Sequence, residues 1–231
     1  MTDQPPQVQL LLTGNEIKSG DTEDSKSAKI AHRLDPQANG NNRQITVGDD
    51  PALLKRELAA MIAEADLVIV NGGLGPTVDD LTADILASVA GVGIEQHPDA
   101  VAHLEHWCAG RNLPLNDANM KQAMLPTGCK IVDNPVGSAV GFEMHVDGCR
   151  VICTPGVPSE LSAMLELIVA SLAAERQQSV EREILRLQTF GLGESSAQQI
   201  IADNLPDWPA NVELGFRAGA PQMEILSLIH I

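Results

Sequence analysis

Asn71–Asp80, NGGLGPTVDD, is the stretch on which the reading of this chain turns. It follows Glu64–Val70, EADLVIV, an apolar and β-branched run of strand length. It precedes Leu81–Gly91, LTADILASVAG, which has helical spacing and a glycine where a helix stops. Strand, glycine-rich turn and helix in that order present backbone N–H groups and a helix N-terminus to an anion. Gly72, Gly73 and Gly75 leave no side chain to hold a phosphate off the main chain; Pro76 stiffens the turn and Thr77 adds a hydroxyl donor. Asp79 and Asp80 place two carboxylates at the expected helix start. A single acid there has an ordinary explanation as a cap on unpaired amides. Two adjacent acids beside a phosphate cradle repel the phosphate unless a divalent cation lies between them, so Asp80 above all points to a metal-bridged phosphate. The spacing is no Walker A loop, since no Lys-Ser/Thr follows, and no GxGxxG fingerprint.

Upstream, Val8–Gly14 (VQLLLTG) reads as a buried strand running into a loop that carries Glu16, Asp21, Glu23 and Asp24. Ser25 or Asp24 is placed to cap a helix through Leu34. A short strand around Gln44–Val47 exits through Gly48-Asp49-Asp50 into the amphipathic helix PALLKRELAAMIAEA; Asp50 is accounted for as its cap, Asp49 less so. Three strand-to-helix transitions in a row predict a parallel α/β sheet whose carboxyl ends collect Glu16, Asp21, Asp49, Asp79 and Asp80 on one edge, where open α/β sheets bind ligands. Residues 97–125 read as helical. His103 and His106 lie three apart there, but without an HExxH pattern they do not make a metal site. A turn with Asn134 and Gly137 follows. A second strand–glycine–helix junction, TPGVPSE, then brings Pro155, Gly156, Ser159 and Glu160 as the expected opposite wall of the same pocket.

The 231 residues are 44% hydrophobic but only 2% aromatic, with no Tyr, so the core must be aliphatic. Thirty-one acids against 15 Lys and Arg give a net charge of −16, which disfavours nucleic acid and anionic lipid as partners. An anionic ligand then needs a local offset. Cys108, Cys129, Cys149 and Cys153 lack zinc-type spacing and read as reduced packing residues of a cytoplasmic protein. No apolar run reaches membrane-spanning length. After Ala174 a charged stretch leads to a β-α-β-β pattern, expected as a small separate subdomain over 181–231. Because the chain stops inside an apolar run at Ile231, it is expected to be a fragment of a longer protein.

NGGLGPTVDDLT, NPVGSAVGF and TPGVPSE, in that order and spacing, resemble the N-terminal domain of the competence/damage-inducible CinA family, within the wider molybdopterin-binding MoaB/MogA superfamily. The resemblance covers roughly residues 8–174, and TFGLGES with PANVELGFRAGAPQMEI resembles the family's KH-like middle domain. It implies a three-layer α/β/α domain over 1–174 with a mostly parallel sheet, a small α+β subdomain beyond it, and a homo-oligomer, dimer or trimer. It also implies a nucleotide or pterin at the glycine turn, a divalent ion (Mg or similar) at Asp49 and Asp80 with Asp79 alongside, and metal-dependent hydrolysis of a nucleotide pyrophosphate such as ADP-ribose. A non-catalytic binding module, or an oligomerisation scaffold for a separate amidase, is the alternative; the family's C-terminal amidase domain is expected to be absent. The chain departs from the family in its first loop, where Asn15 stands for an acid and Asp24-Ser25-Lys26 for the usual Asp-Thr-Asn.

Overall fold

A computed structural model of the chain describes residues 6–21, 23–34, 41–175, 182–210, 212–219 and 221–230. They divide into two compact units, one ending at residue 175 and one beginning at 182.

The larger unit is built on a six-stranded sheet. Its strands are β1 (Val8–Thr13), β2 (Asn41–Val47), β3 (Leu67–Asn71), β6 (Lys130–Val132), β7 (Gly141–Val146) and β8 (Cys149–Thr154), in the order β2-β1-β3-β8-β7-β6. Strands β2, β1, β3 and β8 are mutually parallel, and β7 runs antiparallel to both β8 and β6. Strands β1, β3 and β8 are buried along their whole length, as expected when both faces of a sheet are covered. Alternation sorts their side chains to the two faces. Leu11, Val68, Val70, Val151 and Cys153 pack on one face with α3 (Pro51–Glu64), α4 (Thr82–Ala90) and α5 (Pro98–Ala109). Leu10, Leu12, Leu67, Ile69 and Ile152 pack on the other with α2 (Lys26–Leu34) and α7 (Pro158–Glu175). The result is a three-layer α/β/α arrangement with a mostly parallel sheet. Its core is aliphatic apart from the fully buried Phe142.

Three local expectations need correction. The acidic segment after β1 is not all loop, because Asn15–Ser19 forms the short helix α1, closed by Gly20 with φ 82°. Residues 97–125 are not helical throughout. After α5, Asn112 takes φ 53°, Leu113 N–H returns to Cys108 O at 3.0 Å, and Pro114 bars continuation. Asn116 then caps a single turn, α6 (Asp117–Met120), and a 3₁₀ turn over Lys121–Ala123 leads to β5 (Met124–Pro126), paired with β4 (Ile94–Gln96). Finally, Asp79 and Asp80 do not begin a helix. The helix starts at Thr82, whose N–H donates to Gly73 O at 3.1 Å, and the two acids lie in the turn before it.

The smaller unit carries β9 (Arg182–Phe190), α8 (Glu194–Asn204), β10 (Val212–Gly219) and β11 (Gln222–His230). Its three strands form their own antiparallel sheet in the order β10-β11-β9.

All four cysteines are buried and unpaired. Burial pushes the Cys129 and Cys149 thiols up to about 11 and raises the Cys153 thiol further. Native protein should therefore react negligibly with a disulfide reagent at about pH 7.5, and all four thiols should titrate in guanidinium. Rapid labelling before unfolding would contradict this packing.

Candidate functional site

The carboxyl ends of β1, β2, β3 and β8 open onto a cleft of about 520 Å³. Its floor is the glycine turn. Gly72 has φ 113°, and a Cβ on it would collide with the Thr13 hydroxyl. A Cβ on Gly156 would stand 3.3 Å from Gly72 Cα, so the two glycine junctions lie side by side in near backbone contact. Among the described residues nothing accepts a hydrogen bond from the amides of Gly73, Leu74 and Gly75, nor from those of Gly156 and Val157. Those donors are left for a ligand.

Four carboxylates gather on one side. Asn15 and Asp49 exchange backbone-to-side-chain hydrogen bonds, Asn15 N to Asp49 Oδ2 and Asp49 N to Asn15 Oδ1, both 3.3 Å. That exchange clamps the β1 and β2 exits together, so the asparagine that departs from the family motif positions Asp49. Asp49 is raised above the ordinary carboxylate range, first by burial and then by the charges of Asp79, Glu16 and Asp80; the Asn15 amide works against this. Asp79 is fully exposed and moves the other way, lowered by the Thr77 hydroxyl, its own backbone amide and Lys121. Asp80 Oδ2 accepts from Thr77 N at 2.9 Å and Thr77 Oγ1 at 2.5 Å, while Lys121 Nζ donates to the carbonyls of Thr77 and Asp80. The acidic turn is thus tied internally and pinned by one lysine.

The opposite wall comes from Pro155–Pro158, Glu160, Ser138 and Ala139. Asn134 Nδ2 donates to Glu160 Oε2 and to Ala139 O, both 2.7 Å, and its Oδ1 accepts from the amides of Val136 and Gly137. A Cβ on Gly137 would strike the Glu160 carboxylate. The 134–139 turn is anchored to α5 by His103 Nε2 on Gly137 O at 2.9 Å and by Trp107 Nε1 donating to Val136 O at 3.4 Å, with Arg111 stacked over the Trp107 ring.

Of the residues expected to act, Glu16, Asp49, Gly73, Gly75, Asp79, Asp80, Pro155, Gly156 and Glu160 line the cleft. Gly72, Thr77, Asn134 and Gly137 stand behind it and shape it. Ser159 is exposed and lines nothing here. Sequence reasoning passed over Thr13, Lys26, Gln122 and Ser138, which do line it. The oxygens Thr13 Oγ1 and Gln122 Oε1 are buried without a hydrogen-bond partner. A polar residue ending an apolar strand was the available signal for Thr13, whereas Gln122 sat in a segment that read as plain helix. Among the described residues, no three His, Cys, Asp or Glu side chains converge closely enough to hold a metal ion by themselves, and no helix is long and apolar enough to cross a membrane.

A family model described as a probable molybdopterin binding domain matches residues 9–174. A CinA-like protein of Colwellia psychrerythraea strain 34H is 51% identical over 221 residues, covering 95% of this chain and 51% of that protein. One from Shewanella frigidimarina is 36% identical, covering 94% and 51%. The crystal structure of the protein CinA, of unknown function, from Thermoplasma acidophilum aligns with a TM-score of 0.67 at 31% identity, over 72% of this chain and 98% of that one. The chain spans about half the length of the curated relatives it matches.

The raised Asp49 sets a pH dependence. A carboxyl that holds its proton more tightly when folded favours the folded state below its ordinary value of 3.8, and loses that contribution as pH rises through the higher native value. Asp49→Asn removes the charge and keeps an oxygen for the Asn15 amide. It should melt above wild type at pH 7 without divalent cations, with the gap closing toward pH 3. A lower melting temperature for the variant at pH 7 would contradict the crowding.

Proposed function

We propose that this chain, which belongs to the CinA-like proteins through its molybdopterin-binding domain, binds a phosphate-bearing nucleotide or pterin in the cleft at the carboxyl edge of its sheet. The observation that carries this reading is the paired glycine junction. Two rows of unpartnered amides lie beside each other with no Cβ between them, an arrangement suited to the oxygens of a phosphate or pyrophosphate.

The finer reading adds metal-dependent hydrolysis of a nucleotide pyrophosphate such as ADP-ribose. Magnesium commonly takes only one or two protein carboxylates and completes its shell with substrate phosphates and water. Asp49 and Asp80 fit that use: each has one oxygen engaged, by Asn15 and Thr77 respectively, and Oδ1 unbonded among the described residues. Burial is the main cause that raises Asp49, and the repulsion from Asp79, Glu16 and Asp80 that adds to it is what a cation would relieve. Such an ion would neutralise phosphate charge and lower the pKa of water. The glycine-turn amides would hold the phosphate that stays bound. A carboxylate of the cleft that does not hold the ion would accept the proton of the attacking water. A new P–O bond to water forms as the bridging P–O bond breaks, giving AMP and ribose 5-phosphate. Binding without turnover is the second reading, favoured by the lack of a three-residue metal cluster among the described residues.

The test is calorimetric titration with ADP-ribose, with and without magnesium, alongside chromatographic assay of AMP. We expect binding, and AMP formation that Asp80→Asn lowers by about a hundredfold or more. Asp79→Asn, which alters an exposed acid outside that pair, should cost far less. The Asp80→Asn fold should lose about 1 kcal/mol or less, since the amide still accepts from Thr77. Binding without AMP would leave a binding module; no binding of ADP-ribose or a molybdopterin-type ligand would defeat both readings.

A further inference from the structure

Lys26 is the residue that neither the family motif nor the reading above explains. It opens α2, where its backbone N–H donates to Asp24 Oδ1 at 3.1 Å, and it is only 6% exposed although charged. Buried lysines are ordinarily tied to an acceptor because each carries three donors and a charge that burial penalises. Here the nearest acidic partner of the ammonium among the described residues is Glu16 Oε1 at 4.0 Å, beyond hydrogen-bond reach. The side chain lines the cleft. Its Nζ lies 3.6 Å from the point where a Cβ on Gly156 would stand, and that same point is 3.3 Å from Gly72 Cα. Gly72 in turn backs onto the Thr13 hydroxyl, which is buried, 4% exposed and without a partner. One ammonium and two glycine backbones therefore meet at a single corner, with the orphan Thr13 hydroxyl against Gly72. Among the described residues, Lys26 is the only cation lining a cleft that also holds Glu16, Asp49, Asp79, Asp80 and Glu160.

We infer that Lys26 and Thr13 form a phosphate-binding corner that holds the ligand's anionic end without a metal ion, and that Lys26 is its principal charge. The inference rests on the reading of the cleft as a phosphate site. It goes further by dividing the cleft. The acids repel an anion and attract a cation, so a phosphate is driven to the lysine corner while a divalent ion, where one binds, goes to Asp49 and Asp80. Only a group that offers several acceptor oxygens and negative charge together can satisfy the ammonium, the hydroxyl and the nearby amides at once.

The experiment compares wild type and Lys26→Met for binding of inorganic pyrophosphate and ADP-ribose, in EDTA and in magnesium, with melting temperatures recorded. In EDTA the variant should bind about ten- to a hundredfold more weakly, the worth of a charge-assisted hydrogen bond. In magnesium the loss should be smaller, because the ion takes over part of the neutralisation. Equal affinity of the two proteins in EDTA, or a loss of the same size in both buffers, overturns the proposal. Should Lys26→Met fail to fold, the unaltered protein still decides. Pyrophosphate in EDTA should protect Lys26 from acylation by acetic anhydride, read by mass spectrometry of its peptide, and unchanged labelling overturns the assignment. Failure of wild type to bind either ligand in either buffer defeats the reading of the cleft and this corner with it. Binding that is indifferent to Lys26 defeats the corner alone.

Discussion

The carboxyl edge of the sheet depends on one buried amide. Asn71, the last residue of β3, donates through Nδ2 to Thr154 Oγ1 at 3.1 Å and to Pro155 O at 2.7 Å. The Thr154 hydroxyl reaches back to Val70 O, and Gly72 N–H donates to Thr154 O at 2.9 Å. These bonds close the last rung between β3 and β8 and bring both glycine turns to the same height. An aspartate could not do this, since an ionised carboxylate has no proton to give Pro155 O. The arrangement leaves Asn71 Oδ1 buried without a partner, a cost of about 1–3 kcal/mol in general. The fold carries that cost at the point where its two glycine turns are joined, beside the cleft.

Charge is organised around the same edge. Without countercharge, a surface of −16 would keep phosphates away. The acids are not spread evenly: Glu16, Asp79 and Asp80 lie close enough to Asp49 to add to the rise that burial gives it, and three of the four are held by named contacts. Asn15 fixes Asp49, Thr77 fixes Asp80, and Lys121 fixes the carbonyls of the turn that carries Asp79 and Asp80. Because these ties use backbone amides and a lysine from outside the cleft, acids that repel one another stay in place before any ligand arrives. Preorganised charge of this kind needs little rearrangement when its counterpart binds.

How much of this could be read from the chain follows from the range over which each signal acts. Strand-to-helix junctions are local, marked by β-branched runs, glycines and prolines within a few residues, so the sheet and its two glycine turns were legible. A parallel topology then brings distant carboxyl ends together, which is why Glu16, Asp49, Asp80, Pro155 and Glu160 could be placed on one edge from sequence. Side-chain employment was not legible. Asn134 looked like a ligand donor, yet its amide is spent holding Glu160 and the turn around Gly137. Lys26 looked like a flaw in a motif because nothing local shows that α2 turns its first side chain inward. The expected helix start at Asp79 and Asp80 was out of place because the extra turn that delays the helix to Thr82 is fixed by bonds from Lys121 and to Gly73.

The aromatic poverty of the chain has an optical consequence. With no Tyr, emission excited at wavelengths longer than the phenylalanine band belongs to Trp107 and Trp208. One lies in each compact unit. Trp208 donates from its indole to Val212 O within the smaller unit, so its emission follows the fate of that unit. Trp107 hangs from α5 against the carbonyl of Val136, two residues before the Ser138 that lines the cleft, with a guanidinium over its ring. Its quantum yield is therefore coupled to the 134–139 turn, and the protein carries its own fluorescent gauge of that wall.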